Sequence, residues 1–183
     1  MIRQLWNVPN VISLIRLGLI PLFIWLIAVG EYGWAGILFG VIGATDWIDG
    51  YFARKLGQIT EVGKFLDPLA DRMAVAVAVI GGLVSGVLPA WLAWAIIVRE
   101  VLIGLGAIYG WRNGVTQLEV RWLGKAATFG LYFSVAFIYG GEGFDVEWLA
   151  TLALIGGIPA LVMYYWVGFS YFGDMRRALT EEG

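Results

Sequence analysis

Four aspartates at helical spacing are the residues in this sequence whose types and positions best fit chemistry. Asp46 and Asp49 are three residues apart, and Gly63, Asp67 and Asp71 follow one another at steps of four. Residues at these spacings share one face of a helix, so each group predicts a single-faced stripe. A short connection between the two helices would bring all four carboxylates together.

The free-energy cost of placing four carboxylates together indicates the function of the cluster. An Asp inside a bilayer costs about 2.5 to 3.5 kcal/mol, and four facing carboxylates repel one another unless cations or protons neutralise them. Two divalent ions would neutralise the set and form a clamp suited to phosphoryl chemistry. The small residues Gly50, Ala53 and Gly63 would let a diphosphate and a flat base approach the helix backbones. Arg54 adds positive charge for phosphate oxygens.

Composition removes most other chemistries. The chain contains no cysteine and no histidine, which excludes disulfides, thiolate nucleophiles, zinc fingers and imidazole bases. Carboxylates remain, and they favour hard ions such as Mg²⁺ or Mn²⁺. A net charge of −2 gives no indication of a nucleic-acid partner.

The elements that must position the aspartates are predicted to be membrane helices. Of the 183 residues, 60% are hydrophobic and 14% charged, whereas a soluble domain carries roughly 25% charged residues. We predict an all-α polytopic membrane protein, one domain over residues 1–183, with six transmembrane helices and a short interfacial helix before Asn10. The predicted spans are Val11–Val29, Trp34–Tyr51, Phe65–Val87, Ala90–Trp111, Trp122–Tyr139 and Trp148–Phe172.

Charge placement predicts the orientation in an inner or plasma membrane. The loops near Glu31, Ser85 and residues 142–147 contain only acidic or uncharged residues, and all twelve Lys and Arg lie elsewhere. By the positive-inside rule, both termini and the loops after helices two and four are cytoplasmic. The aspartates then lie at the cytoplasmic ends of helices two and three.

The stretch from Asp46 to Asp71 matches the pattern D-x-x-D-G-x-x-A-R-x₈-G-x₃-D-x₃-D without a departure. This pattern resembles the signature of the CDP-alcohol phosphatidyltransferases, whose six-span layout is also similar. The resemblance implies CDP-diacylglycerol as donor, an alcohol as acceptor, and a homodimer. It implies two divalent cations held by Asp46, Asp49, Asp67 and Asp71, with Asp71 also the general base. The residues that it implies for contact with the CDP moiety are Gly50, Ala53, Arg54 and Gly63.

The acceptor is less determined than the donor. Residues 7–16 and the pair Arg99-Glu100 are similar to the phosphatidylglycerophosphate synthase and cardiolipin synthase branch of that family. We expect glycerol 3-phosphate as acceptor, with phosphatidylglycerol, giving cardiolipin, as the alternative. One departure weakens the first choice, because synthases that use glycerol 3-phosphate typically carry a lysine where this chain has Ala127. The candidate residues for the acceptor or its phosphate are Arg99, Arg112, Arg121 and Lys125. For Arg99, an internal salt bridge is an equal alternative.

An ion-coupled transporter is the leading competing class, because intramembrane aspartates also mark ion pathways. A transporter predicts carboxylates scattered along a transmembrane route, often with broken helices. Here the aspartates gather at one end of two helices, which favours the enzyme.

Overall fold

The computed structural model describes residues 8–56, 61–112 and 122–181, and the regular elements of these ranges are all α-helices. Within them, the side chains of residues 8–10, 46–56, 61–68, 107, 110, 111, 122, 125, 171, 172 and 174–181 lie outside the description. The predicted all-α class is confirmed, whereas the predicted interfacial helix falls on residues outside the described ranges. The six helices are α1 (Val8–Ala28), α2 (Tyr32–Leu56), α3 (Glu61–Ser85), α4 (Ala90–Arg112), α5 (Trp122–Phe144) and α6 (Glu147–Glu181).

Helices α2 and α3 are longer than the apolar segments that predicted them. α2 continues to Leu56, and α3 already begins at Glu61. The added turns contain Ala, Leu and the charged residues Arg, Lys and Glu, all of which have good helix propensity. The whole aspartate pattern up to Asp71, apart from residues 57–60, therefore lies on helical backbone.

The outer surface of the bundle carries many large apolar side chains. Val84 is 82% exposed and Trp166 is 70% exposed, which suits contact with lipid rather than water. Among the described residues, two helical segments are long and apolar enough to cross a membrane, Val11–Ala28 and Glu147–Ser170. Tyr32–Thr45 is a shorter apolar stretch. Six spans thus remain a prediction.

Three tight turns close one end of the bundle. Residue Gly30 has φ 82°, and the amide of Glu31 donates to the carbonyl of Leu26 at 2.9 Å, as in a Schellman cap. Asp145 has φ 55°, and the amide of Val146 donates to the carbonyl of Gly141 in the same pattern. The third turn, between α3 and α4, contains a glycine in the left-handed region. These short connections make the helices in each pair antiparallel.

Helix α5 is the centre of the packing, with its most extensive contacts to α6 and α2, while α1 packs along both α2 and α3. The approach of α2 to α5 depends on Gly36. A Cβ at that position would lie 2.6 Å from the carbonyl oxygen of Ala136 and from the amide nitrogen of Gly140. Small residues at such crossings let helix backbones pack closely.

Two tyrosines of α5 bind the backbone of α3. The hydroxyl of Tyr139 donates to the carbonyl of Ala78 at 2.8 Å, and that of Tyr132 donates to the carbonyl of Asp71 at 3.2 Å. The two tyrosines are seven residues apart on α5, and the two acceptor residues are seven apart on α3. The two hydrogen bonds therefore form two rungs of one ladder between parallel helices. The Tyr132 ring also stacks on Phe39 of α2, with centroids 4.8 Å apart and planes 7° from parallel. The ladder fixes the turn of α3 that contains Asp71.

Candidate active site

Asp71 lies in the third turn of α3, where its side chain is 31% exposed. A guanidinium nitrogen of Arg16, on α1, donates to its carboxylate and forms an ion pair. The Tyr132 hydroxyl holds the backbone carbonyl of the same residue. The predicted general base is therefore oriented through both its side chain and its backbone, and it is still accessible to a small reactant.

Arg16 is a site residue to which sequence analysis gave no role. It is 1% exposed and is among the largest fully buried side chains of the described residues. One signal could have identified it, since it is the sole charged residue of α1. A charge inside an apolar membrane helix is a functional-site candidate by default.

The side chains of the other three predicted metal ligands lie outside the described residues. Their backbone positions are known: Asp46 and Asp49 lie in the last three turns of α2, and Asp67 lies one turn before Asp71 on α3. Among the described side chains, no three or more possible ligands form a group. The helical spacing is thus confirmed, whereas the convergence of four carboxylates remains a prediction. The donor chemistry of aspartate oxygens fits Mg²⁺ or Mn²⁺.

The side chains of the four residues predicted to contact the CDP moiety also lie outside the description. Gly50, Ala53 and Arg54 belong to the helical backbone of α2, and Gly63 belongs to the first turn of α3. Their assignment is untested by geometry.

Arg99 takes part in a buried polar cluster between α4 and α6. It is 12% exposed, its Nη1 lies 2.9 Å from Oε1 of Glu100, and its Cζ lies 3.4 Å from the ring centroid of Tyr164. The Tyr164 hydroxyl donates to the same Glu100 carboxylate. The internal salt bridge predicted as one alternative for Arg99 is therefore present. In the described part of the structure, Nε of Arg99 is buried without a hydrogen-bond partner.

Tyr164 of this cluster points into the core of the bundle, where it is 4% exposed. A cavity of about 10 Å³, enough for about one water molecule, also borders Tyr164. It is too small for a nucleotide or a lipid headgroup. It belongs to the packing of the core, next to Val75, Thr128 and Tyr132.

The remaining candidate residues for the acceptor are less defined. Arg112 is exposed in the last turn of α4. Arg121 falls outside the described residues, as does the side chain of Lys125, whose backbone belongs to α5. Ala127, two residues further along, is 0% exposed in the core. The structure therefore places the departure from the glycerol-phosphate pattern inside the bundle.

Comparison with known families decides the class of protein. The sequence model of the family described as CDP-alcohol phosphatidyltransferase matches residues 6–170. The chain belongs to the CDP-alcohol phosphatidyltransferase family. The predicted family and enzyme class are thus confirmed, and the chain is a phosphatidyltransferase. CDP-alcohol phosphatidyltransferases are membrane-associated and generally use a divalent metal ion.

Relatives within the CDP-alcohol phosphatidyltransferase family carry two names. The chain is 33% identical to a cardiolipin synthase (CMP-forming) of Streptomyces coelicolor over 96% of this chain and 86% of that protein. It is 36% identical to a CDP-diacylglycerol–glycerol-3-phosphate 3-phosphatidyltransferase of Bacillus subtilis, over 72% of this chain and 76% of that protein. It is 31% identical to a protein of the latter name from Escherichia coli, over 97% of this chain and 99% of that protein. These similar identities do not separate the two names.

The polar cluster at Arg99 generates a prediction about stability. We expect Arg99→Met and Glu100→Leu each to lower the apparent melting temperature in detergent, because each leaves a partly buried charge without its partner. The double variant should lose less than the sum of both, with a coupling of roughly 0.5 to 3 kcal/mol. Thermal denaturation of the purified variants measures this. The exposed neighbours Val101 and Leu102, changed to Ala singly and together, are the control pair and should be additive; additive losses at Arg99 and Glu100 would contradict the pairing.

Proposed function

We propose that this enzyme transfers the phosphatidyl group of CDP-diacylglycerol to the hydroxyl of an alcohol and releases CMP. The observation that carries the proposal is the intact aspartate pattern inside the family match, with Asp71 oriented by Arg16 and Tyr132. CDP-diacylglycerol also stands in the name of the relatives from Bacillus subtilis and Escherichia coli. Phospholipid biosynthesis is the setting that this reaction fits.

The proposed mechanism assigns the proton and the leaving group. The Asp71 carboxylate takes the proton from the acceptor hydroxyl, whose oxygen attacks the β-phosphorus in line. The bond from that phosphorus to the bridging oxygen breaks, and CMP leaves with the bridging oxygen. The groups proposed to hold the CDP moiety of the donor are Gly50, Ala53, Arg54 and Gly63.

Two divalent cations, Mg²⁺ or Mn²⁺, are the proposed cofactors, and Asp46, Asp49, Asp67 and Asp71 would hold them. When bound, such ions neutralise the diphosphate and stabilise the charge that develops on the leaving group. Oxygen donors alone are available in a chain without cysteine or histidine, which supports hard ions over zinc.

The acceptor is proposed from the departure at Ala127. Glycerol 3-phosphate was the first choice from sequence, but Ala127, on the inner face of α5, is fully buried and supplies no positive charge for a phosphate dianion. This observation favours phosphatidylglycerol, whose phosphodiester carries less charge, with glycerol 3-phosphate as the second candidate.

We also propose a single domain and a homodimer in the inner or plasma membrane, with both termini and the active site on the cytoplasmic side. The charge distribution of the sequence supports this orientation. The tight turns at Glu31 and Asp145 lie together at the end of the bundle opposite to the predicted cytoplasmic aspartates.

The first functional prediction concerns the chemistry. Purified enzyme with CDP-diacylglycerol, an acceptor and Mn²⁺ should release CMP, and chelation of the metal should abolish release. Asp71→Asn should lower the rate by about 10²- to 10⁴-fold, the range for loss of a general base. Asp145→Asn is the matched control, since it makes the same change at the far end, where Asn tolerates a positive φ. An ion-coupled transporter would release no CMP with any acceptor.

The second functional prediction concerns the acceptor. Glycerol 3-phosphate and phosphatidylglycerol are offered separately with CDP-diacylglycerol, and the lipid products are identified by mass spectrometry. We expect cardiolipin from phosphatidylglycerol at a higher kcat/KM than phosphatidylglycerophosphate from glycerol 3-phosphate. Product from glycerol 3-phosphate alone would reverse the order of acceptors and leave the proposed donor intact.

The third functional prediction concerns orientation and uses the lack of cysteine, which makes single-cysteine labelling free of background. In intact cells, a membrane-impermeant maleimide should label Glu142→Cys, at the exposed end of α5. It should label Arg176→Cys, near the C-terminus, only after permeabilisation. The opposite pattern would invert the proposed topology.

A further inference from the structure

The strongest unassigned feature is the burial of Arg16. Its guanidinium lies about nine residues, and therefore about 12 to 14 Å, into α1. The helix is otherwise without charge, and Arg16 is 1% exposed. Burying an arginine in a membrane helix is energetically unfavourable, so its position requires a compensating role. Its ion pair with Asp71 identifies that role.

The geometry around Asp71 separates two anchors. Arg16, from α1, binds the carboxylate, whereas Tyr132, from α5, binds the backbone carbonyl. Tyr132 is itself fixed by stacking on Phe39 of α2. Helices on both sides of α3 thus hold the same residue, one through its reactive group and one through its main chain.

We propose that Arg16 is a positioning residue for phosphatidyl transfer, which sets the orientation of the Asp71 carboxylate relative to the acceptor hydroxyl and the metal ions. This inference rests on the proposed function of Asp71. A guanidinium suits the role because its planar donors fix the direction of a carboxylate, whereas an ammonium acts as a point charge. Groups that orient a ligand from outside the first coordination sphere commonly change metal affinity or activity by 10- to 100-fold when removed.

The test compares Arg16→Gln and Arg16→Lys with the wild type. At saturating Mn²⁺ we expect Arg16→Gln to lower kcat by about 10²-fold, the effect of a displaced reactive group, while the KM for CDP-diacylglycerol changes much less. Arg16→Lys should restore part of kcat, because it keeps the positive charge and loses the planar fork. Tyr132→Phe, which keeps the ring and removes the backbone anchor, should give a smaller loss.

A second readout does not depend on turnover. Electron paramagnetic resonance of Mn²⁺ added to the protein without substrates measures how tightly the ion binds. The apparent affinity should fall by about 10-fold in Arg16→Gln if the arginine orients Asp71 for the ion. An increase in Mn²⁺ affinity would overturn the proposal, since it would mean that the arginine competes with the metal.

Phe23→Leu is the structural control, a truncation of a buried residue two turns further along α1. It should lower thermal stability and leave kcat and Mn²⁺ affinity unchanged. If Arg16→Gln changed stability alone, in the same way as Phe23→Leu, the arginine would be a packing element and the inference would fail. If Arg16→Gln does not fold, kcat, Mn²⁺ affinity and thermal stability are compared between Arg16→Lys and Tyr132→Phe instead, with the same outcomes deciding. A wild type without CMP release would instead refute the proposed function.

Discussion

An ion pair inside an apolar bundle is the constraint on which the arrangement of this molecule depends. Arg16 and Asp71 are 55 residues apart in the sequence, on helices separated by α2, and either charge would be unfavourable inside the bundle without its partner. Once α1 and α3 contain opposite charges at one level, they must pack with those charges in contact. The many exposed apolar side chains then face outward. A catalytic helix bundle in lipid needs its polar groups to face inward and its apolar groups to face the lipid.

A second polar cluster, at Arg99, joins α4 to the rest of the bundle. α4 contacts the rest of the bundle less extensively than α5 does, and its link to α6 includes Arg99, Glu100 and Tyr164. Ion pairing, a hydrogen bond and a cation–π contact join there in one small volume. Helices that gain little from hydrophobic burial in a membrane can be held by such polar contacts.

The sequence was sufficient for the elements and for the class of enzyme. Apolar runs of near-spanning length predicted each helix, and the aspartate pattern predicted the family that the comparison confirmed. The ends of α2 and α3 were predicted too short, because a hydropathy pattern stops where polar residues begin, while helical hydrogen bonding does not. Arg16, Tyr132 and Tyr164 acquire their roles only through contacts between residues 55 to 64 positions apart. No local spacing encodes such contacts. The same limit applies to Ala127. The sequence shows that this residue departs from the glycerol-phosphate pattern, but only the structure shows that it is buried.

The tyrosine ladder has a mechanical consequence for α3. Its rungs, from Tyr132 to Asp71 and from Tyr139 to Ala78, share one heptad interval on both helices. A slide of α3 along α5 by a fraction of the helical pitch, which is about 5.4 Å, would break both rungs at once. The ladder therefore opposes small displacements of this helix along its axis. Any adjustment to a bulky lipid must come from side-chain rotation or from the less tightly packed α4, while the helix that carries the reactive carboxylate stays still.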